Sequence, residues 1–369
     1  MSEILCRVLQ KTKQQNGVRM KNKKRIIELT AAAALSIAVL SGCNDERLEE
    51  ELSYRELGIA NMQEGDYEEA IVAFDSALSH SSGTIGATEI DICYYKAAAL
   101  YANGDTEGAR ATYDALLAYD KKDANAYYLR GCLLLKSGDV QGAKDDFANA
   151  VTYNASDFDL YINIYRNLAA YNLGAEGEEY LNKAFSIKGN DAKSLAGRGE
   201  IYYLLGEYEN ALTELKAAID AGSVDANLTI AKVHEAMGDG ASAEGYYKAY
   251  VDSGAADAAA MCALAELAMA KQDYATALSY VNQGLAMDEV QNRRALMQNQ
   301  VICLEYTGDF DGAWNVMEEY MSLYPDDMEA LREYIFLKNR YNVDAQASEE
   351  IQAEVVLSTE EAQTTESGE

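Results

Sequence analysis

A small residue recurs along this chain with a period of about 34 residues, and this period constrains the fold more than any other sequence feature. With Ala143 as the reference, the steps between successive small residues are 39, 34, 34, 34, 32, 34 and 36. Such a period is typical of repeat architectures, in which each unit buries its apolar face against its neighbours. The equivalent positions are Ala70, Ala109, Ala143, Gly177, Ala211, Ala243, Ala277 and Ala313.

Around each of these positions the sequence predicts two short helices joined by a tight turn. In the clearest copy the first helix runs from about Ala126 to Ser137 and stops at Gly138, because glycine adopts the left-handed conformation without a Cβ penalty. Asp139 then caps a second helix that reaches about Tyr153. The same turn recurs at Gly65-Asp66, Gly104-Asp105, Gly206-Glu207, Gly238-Asp239, Gln272-Asp273 and Gly308-Asp309.

Two further features lie at fixed distances from the small residue. A large apolar residue follows it by four positions in each copy: Phe74, Tyr113, Phe147, Leu181, Leu215, Tyr247, Val281 and Met317. Another small residue precedes it by twelve positions in most copies: Gly58, Ala97, Gly131, Gly199, Ala231 and Ala265. In this pattern the chain resembles the tetratricopeptide-repeat family, and the best matches are Tyr54–Leu57–Gly58–Ala70–Phe74–Ala77 and Leu129–Gly131–Ala143–Phe147–Ala150.

The resemblance implies an all-α fold, a right-handed α-solenoid of about eight helix–turn–helix units in which small residues let the two helices of a unit approach closely. The solenoid would cover residues 51–340, with an amphipathic C-terminal capping helix over residues 327–340. The fourth copy is degenerate, since Tyr165 and Asn172 replace the expected glycines and Gly177 replaces the alanine. The 39-residue step predicts a longer loop within residues 78–89.

The N-terminal segment carries a second resemblance. Basic residues within 21–25 precede an apolar stretch, residues 26–40, that is short for a membrane span. The following Leu40-Ser41-Gly42-Cys43 resembles the bacterial lipoprotein signal. The resemblance implies that residues 1–42 are an N-terminal extension and signal peptide, and that Cys43 is joined to diacylglycerol, with residues 43–50 as a lipid-anchored tether. Multiple acyl chains would give stable anchoring.

The resemblance to a lipoprotein signal predicts that the protein lies at the cell membrane, on its extracytoplasmic face. Three alternatives stay open at the sequence level. The apolar stretch could remain as an uncut signal anchor, and translation could start at Met1 or at Met20. The anchoring membrane could be the inner one, the outer one or the only one.

The acidic net charge of the chain limits the classes of molecule that it is expected to bind. The net charge is −30, and residues 1–43 contribute +6, so the remainder carries −36. A body this acidic is repelled by phosphates, which argues against nucleic acid as a partner. Residues 341–369 hold eight acidic residues and no Lys or Arg, and this composition predicts a disordered tail.

No catalytic, cofactor or metal motif stands out, so the sequence predicts a protein that is not an enzyme. The two histidines, His80 and His234, lie 154 positions apart, and no nucleophile is spaced suitably from either. There is no CxxC pair, glycine-rich phosphate loop or EF-hand spacing. Cys93 and Cys132 lie in adjacent units, as do Cys262 and Cys303, and buried packing is favoured over disulfides because stacked helices lie about 8–10 Å apart.

The chain has 27 tyrosines, whose rings bury well while the hydroxyl stays hydrated. In tetratricopeptide-repeat proteins, first-helix positions two, five, nine and twelve line a concave groove. The resemblance therefore predicts a non-catalytic scaffold for an unidentified protein or peptide, with an acidic side chain or C-terminal carboxylate as the recognised group. The alternative is a solute- or glycan-binding surface lipoprotein. The predicted groove residues are Arg55, Tyr94, Tyr101, Asn125, Tyr128, Arg166, Lys193, Tyr203, Lys232 and Glu235.

Overall fold

A computed structural model describes residues 43–81, 83, 85–287, 290 and 292–341. Within these ranges the chain is helical between short turns and has no strand. The helices are α1 (Cys43–Glu64), α2 (Tyr67–His80), α3 (Ala87–Ala102), α4 (Thr106–Tyr119), α5 (Ala124–Lys136), α6 (Val140–Tyr153), α7 (Phe158–Ala170), α8 (Gly174–Ala184), α9 (Ala192–Leu204), α10 (Tyr208–Asp220), α11 (Ala226–Ala236), α12 (Gly240–Tyr250), α13 (Ala258–Ala270), α14 (Tyr274–Leu285), α15 (Arg293–Thr307), α16 (Phe310–Leu323) and α17 (330–341).

Helices α1 to α16 form eight consecutive antiparallel pairs, called here repeats one to eight, and this confirms the all-α solenoid class. The described part of the chain divides into two compact halves, one up to Lys188 and one from Gly189 onward. Within each half, the second helix of a repeat also packs on the first helix of the next repeat. The apolar core of each half is therefore a seam between successive helix pairs.

The turn inside each repeat depends on one residue in the left-handed region. Gly138 has φ +86° and its counterparts in five other repeats lie between +76° and +88°. Asn172 and Gln272 take φ +61° at the equivalent positions of repeats four and seven, and Asn tolerates this region better than most residues do. In five repeats the aspartate that follows the turn then caps the second helix, as Asp139 does by accepting from the Gly142 amide. The equivalent residues of the other three repeats make no side-chain cap: Asp66, Leu173 and Glu207.

Close approach of the two helices occurs where the sequence places its small residues. A Cβ added to Gly131 would lie 2.7 Å from the Phe147 ring and 3.3 Å from the Ala143 carbonyl oxygen. In repeat four the glycine at the close approach lies on the second helix instead, because a Cβ on Gly177 would lie 2.9 Å from the Tyr165 ring. The degenerate copy therefore combines a large residue on its first helix with a glycine opposite it, while Leu181 keeps the large position of the second helix.

Partly buried ion pairs also join the helices. The Arg130 guanidinium donates from Nε and Nη2 to the two carboxylate oxygens of Asp146, at 2.8 and 2.7 Å, and from Nη1 to Asp114 at 2.6 Å. Two repeats later Arg198 donates from Nε and Nη2 to Glu214, at 3.1 and 2.9 Å. In both cases this partner stands sixteen positions later, on the second helix of the same repeat, and it accepts through two oxygens in Asp146 and through one in Glu214. A forked guanidinium thus ties the two helices together.

Several boundaries differ from the sequence expectations. Residues 43–50, expected as a tether, lie in α1, and the loop expected over 78–89 is confined to the stretch between His80 and Ala87. The capping helix begins at 330, after Asp327 has accepted hydrogen bonds from the amides of Glu329 and Ala330. Residues 1–42, predicted as signal peptide, and residues 342–369, predicted as a disordered tail, lie outside the described residues.

None of the helices in the described ranges combines the length and the apolar content that are needed to cross a bilayer.

The packing at Gly131 leads to a stability prediction. We expect Gly131→Val to destabilise the protein by about 1–3 kcal/mol, because the new side chain must displace the Phe147 ring. The measurement is the urea midpoint followed by circular dichroism. Gly245→Ala is the matched control, since nothing lies within 4 Å of its added Cβ inside α12, and it should be neutral or slightly stabilising. Equal effects of the two substitutions would contradict the close-approach argument.

Candidate partner-binding surface

The predicted groove residues of the N-terminal half include one arginine that is already paired. Arg55, on α1, donates from Nε to Asp91 on α3 at 2.8 Å, and its guanidinium lies 5.3 Å from the centre of the Tyr95 ring. Asp91 occupies position two of repeat two, so the pair joins two neighbouring first helices. Arg55 thus holds repeats one and two together in this structure.

Two of the predicted tyrosines are buried. Tyr94 has an exposed fraction of 8% and Tyr128 of 2%. The Tyr94 hydroxyl donates to Asp123 Oδ2 at 2.6 Å, and burial, together with this carboxylate, raises the pKa of the phenol. The Tyr128 hydroxyl accepts from Asn167 Nδ2 at 2.9 Å. These two side chains therefore present little surface to a partner.

The remaining predicted residues of this half are more open. Arg166, on α7, is exposed, while Tyr101 and Asn125 are half-buried. The ammonium of Lys136, on α5, lies 4.9 Å from the centre of the Tyr101 ring. Lys136 stands at position thirteen of its repeat, next to the groove positions taken from the family, and the sequence analysis missed it. Tyr101 and Lys136 form a cation–aromatic pair.

In the C-terminal half the predicted residues are all at least partly accessible. Lys193 and Glu235 are exposed, and Tyr203 and Lys232 are half-buried. Glu235 accepts a hydrogen bond from the Tyr247 hydroxyl at 2.8 Å. Burial and then this carboxylate raise the pKa of Tyr247, so the phenol stays protonated as the donor.

The C-terminal half also carries carboxylates at groove positions that the sequence analysis did not name. Glu200 and Glu266 stand at position nine of repeats five and seven, and Glu305 at position twelve of repeat eight. Glu266 lies 3.4 Å from Cys262 Sγ and 3.5 Å from Asn299 Nδ2. The sequence could have identified these three glutamates, because the repeat register extends through repeats seven and eight.

Glu305 faces a second carboxyl group across the last helix contact. Burial, and then the neighbouring Glu333 on α17, raise the pKa of Glu305 to about 7. Two carboxyl groups this close do not both ionise readily. The first-helix positions of the C-terminal half are thus richer in acid than the mixed basic and aromatic groove that the sequence predicted.

Both histidines and the buried Cys303 are engaged in packing contacts. His80 contacts the Ser76 carbonyl oxygen at 2.7 Å and stacks on Tyr54, while His234 stacks on Tyr246. Burial raises the pKa of the Cys303 thiol to about 11, so this cysteine is not a thiolate at neutral pH. In the part of the chain that the structure describes, no cluster of His, Cys, Asp and Glu could hold a metal ion.

Tetratricopeptide-repeat family models match residues 61–131, residues 228–291, and residues 124–157 with 192–221. Together these stretches cover just over half of the chain. Repeat four, with Tyr165 opposite Gly177, lies outside them. No curated protein sequence matches the chain.

Solved structures with similar folds include three repeat proteins. A tetratricopeptide repeat protein from Parabacteroides merdae is 12% identical, with a TM-score of 0.47, covering 69% of this chain and 99% of its own. PilF of Pseudomonas aeruginosa is 20% identical, with a TM-score of 0.41, covering 58% and 96%. YrrB, described as having an unusual peptide-binding site, is 21% identical, with a TM-score of 0.35, covering 51% and 96%. At these identities the likeness concerns fold alone.

The Glu305–Glu333 contact leads to a prediction about pH. Because the pKa of Glu305 is raised from 4.5 to about 7 in the folded chain, its contribution to stability is fully present below about pH 4.5 and is lost as pH rises through about 7. We expect Glu305→Gln to be more stable than the natural protein at pH 8, by about 1–2 kcal/mol, and less different at pH 5. Urea unfolding at both pH values measures this.

Glu318→Gln is the control for that experiment, because Glu318 is exposed on α16. It should leave the pH dependence of unfolding unchanged. A Glu305→Gln protein with the same pH profile as the natural chain would show that this contact does not titrate as argued.

Proposed function

This chain belongs to the tetratricopeptide-repeat family, and we propose that it acts as a membrane-anchored, non-catalytic scaffold that holds a protein or peptide on its first helices. The proposal is supported by the distribution of side chains on those helices, where apolar side chains are buried and charged ones are exposed. Apolar residues such as Leu129 and Ile201 are buried between helices, while Arg166, Lys193 and Glu235 are exposed at groove positions. A surface of this kind recognises a partner by polar contacts on a rigid support.

The N-terminal half favours a partner that offers carboxylate groups. Arg166 is exposed there, and Lys136 lies over the Tyr101 ring, so a guanidinium and an ammonium are both accessible on first helices. A guanidinium matches the geometry of a carboxylate. The proposed partner is therefore a peptide that contacts this half through Asp, Glu or its C-terminal carboxylate.

Support for membrane anchoring comes from the sequence. Four cations within residues 21–25 precede the apolar stretch 26–40, and Cys43 follows the small residues Ser41 and Gly42. This order of basic, apolar and small segments before a cysteine is that of a lipoprotein signal. In the proposed mature protein Cys43 carries the acyl chains and holds the repeats at the extracytoplasmic face of the cell membrane.

The anchor is tested by substituting the cysteine. We expect Cys43→Ser to abolish incorporation of labelled palmitate and to move the protein from the membrane fraction to the soluble fraction, because no thiol remains at the acylation site. Cys93→Ser, in α3, is the matched control and should keep both the label and the membrane location. Undiminished labelling of the Cys43→Ser protein would rule out the anchor at this residue.

The binding surface is tested by photo-crosslinking in native membranes. A photoreactive residue at position 159, exposed on the first helix α7 that also carries Arg166, should capture a protein or peptide partner, while the same residue at position 110 should not, since Arg110 lies on the second helix α4. Arg166→Glu should reduce recovery of the captured partner by about tenfold, which corresponds to about 1.4 kcal/mol. Equal capture from both positions would contradict the proposal, and binding of glycans without protein adducts would favour the alternative class.

A further inference from the structure

The last helix, α17, has one face packed on repeat eight and another that no described residue covers. Ala330 and Leu337 are buried against repeat eight, and Trp314 lies 5.2 Å from the Tyr334 ring. On the other face Ile335 is 50% exposed, and Met328, in the turn that precedes the helix, is also exposed. Large apolar side chains at the end of a solenoid need a covering element.

The repeat register shows which element covers the equivalent face of the first helix in the other repeats. Ile335 lies one full period after Val301, the position held by Gly131 in repeat three and Gly199 in repeat five. At those two glycines an added Cβ would meet Phe147 and Leu215, the large residues of their own second helices. Val301, with α16 beside it, is 2% exposed. Helix α17 is thus in register with the first helix of a ninth repeat.

The sequence after α17 continues the same register. Asn342 lies one period after Gly308, and the pair Tyr341-Asn342 repeats the pair Tyr171-Asn172, in which Asn172 adopts the left-handed turn. The small, the large and the next apolar positions of a second helix are then filled by Ala347, Ile351 and Val355, each one period after its counterpart in repeat eight. Two positions depart from the pattern: Val343 stands where Asp139 and Asp309 cap their second helices, and Glu354 stands where Ala77 and Ala150 are found in repeats one and three.

Charge complementarity points to the same occupant. Residues 345–357 contain three glutamates and no Lys or Arg. Helix α17 carries three cations, of which Lys338 lies over the Tyr334 ring and Arg340 over the Phe310 ring. An acidic segment joined to a basic helix by a short turn meets it at a high effective concentration.

We propose that residues 345–357 form the second helix of a ninth repeat and pack on the Ile335 face of α17, with Ala347 and Ile351 at the contact. This replaces, for these residues, the expectation of disorder drawn from composition alone, because composition ignores the register. The exposed apolar face of α17 is then an intramolecular docking site, and the acidic tail proper begins after Leu357.

Hydrogen exchange of the intact chain, followed by mass spectrometry, tests the proposal. We expect the amides of residues 348–357 to exchange at least about tenfold more slowly than in an unstructured peptide. Ile351→Glu should abolish that protection and accelerate exchange in residues 330–341 by about tenfold, because a charge then faces Ile335. Gln352→Glu is the matched control and should change neither segment.

Gln352 is chosen for the control because the equivalent residue is exposed in the eight complete repeats. The residue that follows the large apolar position is exposed in all eight of them: Asp75, Asp114, Ala148, Asn182, Lys216, Lys248, Asn282 and Glu318. Three results would overturn the proposal: unprotected amides in residues 348–357 of the natural chain, equal effects of the two substitutions, or protection of α17 that depends on protein concentration and survives Ile351→Glu. The last result would mean that a second copy of the chain covers this face.

Discussion

The close approach of two helices inside each repeat is the contact on which the rest of the structure depends. Helix α5 has 13 residues and α8 has 11, and isolated helices of this length are marginal in water. They persist because Gly131 admits the Phe147 ring against its backbone, and Gly177 admits Tyr165 in the same way. Each such contact buries a large side chain and sets the distance at which the next pair can pack.

The architecture could be predicted from the sequence because its determinants are local. A left-handed residue, glycine in six of the eight repeats, ends the first helix at each turn, and the positions of Ala143 and Phe147 then decide which faces meet. Repeat four was recognised as degenerate, but the structural meaning of Tyr165 opposite Gly177 emerged only when both helices were in place. The Arg130 ion pairs also escaped prediction, since long side chains reach partners sixteen positions away that no spacing rule singles out.

The predicted surface shows where sequence register stops being informative. Register places a residue on the inner side of a first helix, but it does not say how closely the neighbouring first helix approaches. Tyr128 lies at a predicted groove position and is nevertheless buried, because Asn167 of the next first helix closes over its hydroxyl. Arg55 is engaged by Asp91 in a similar way. Long charged side chains at the same positions, such as Arg166, remain at the surface because burying them would cost too much.

Residues 43–50 lie in helix α1, and this bears on how the repeats would be held at a bilayer. Residues 43–50 span roughly 12 Å as a helix, and they continue without a break into the body of repeat one. With Cys43 acylated, as proposed, the acyl chains are joined to repeat one by a short helix and not by a flexible linker. The distance between repeat one and the lipid headgroups would then vary little. A partner would have to bind the repeats close to the membrane surface.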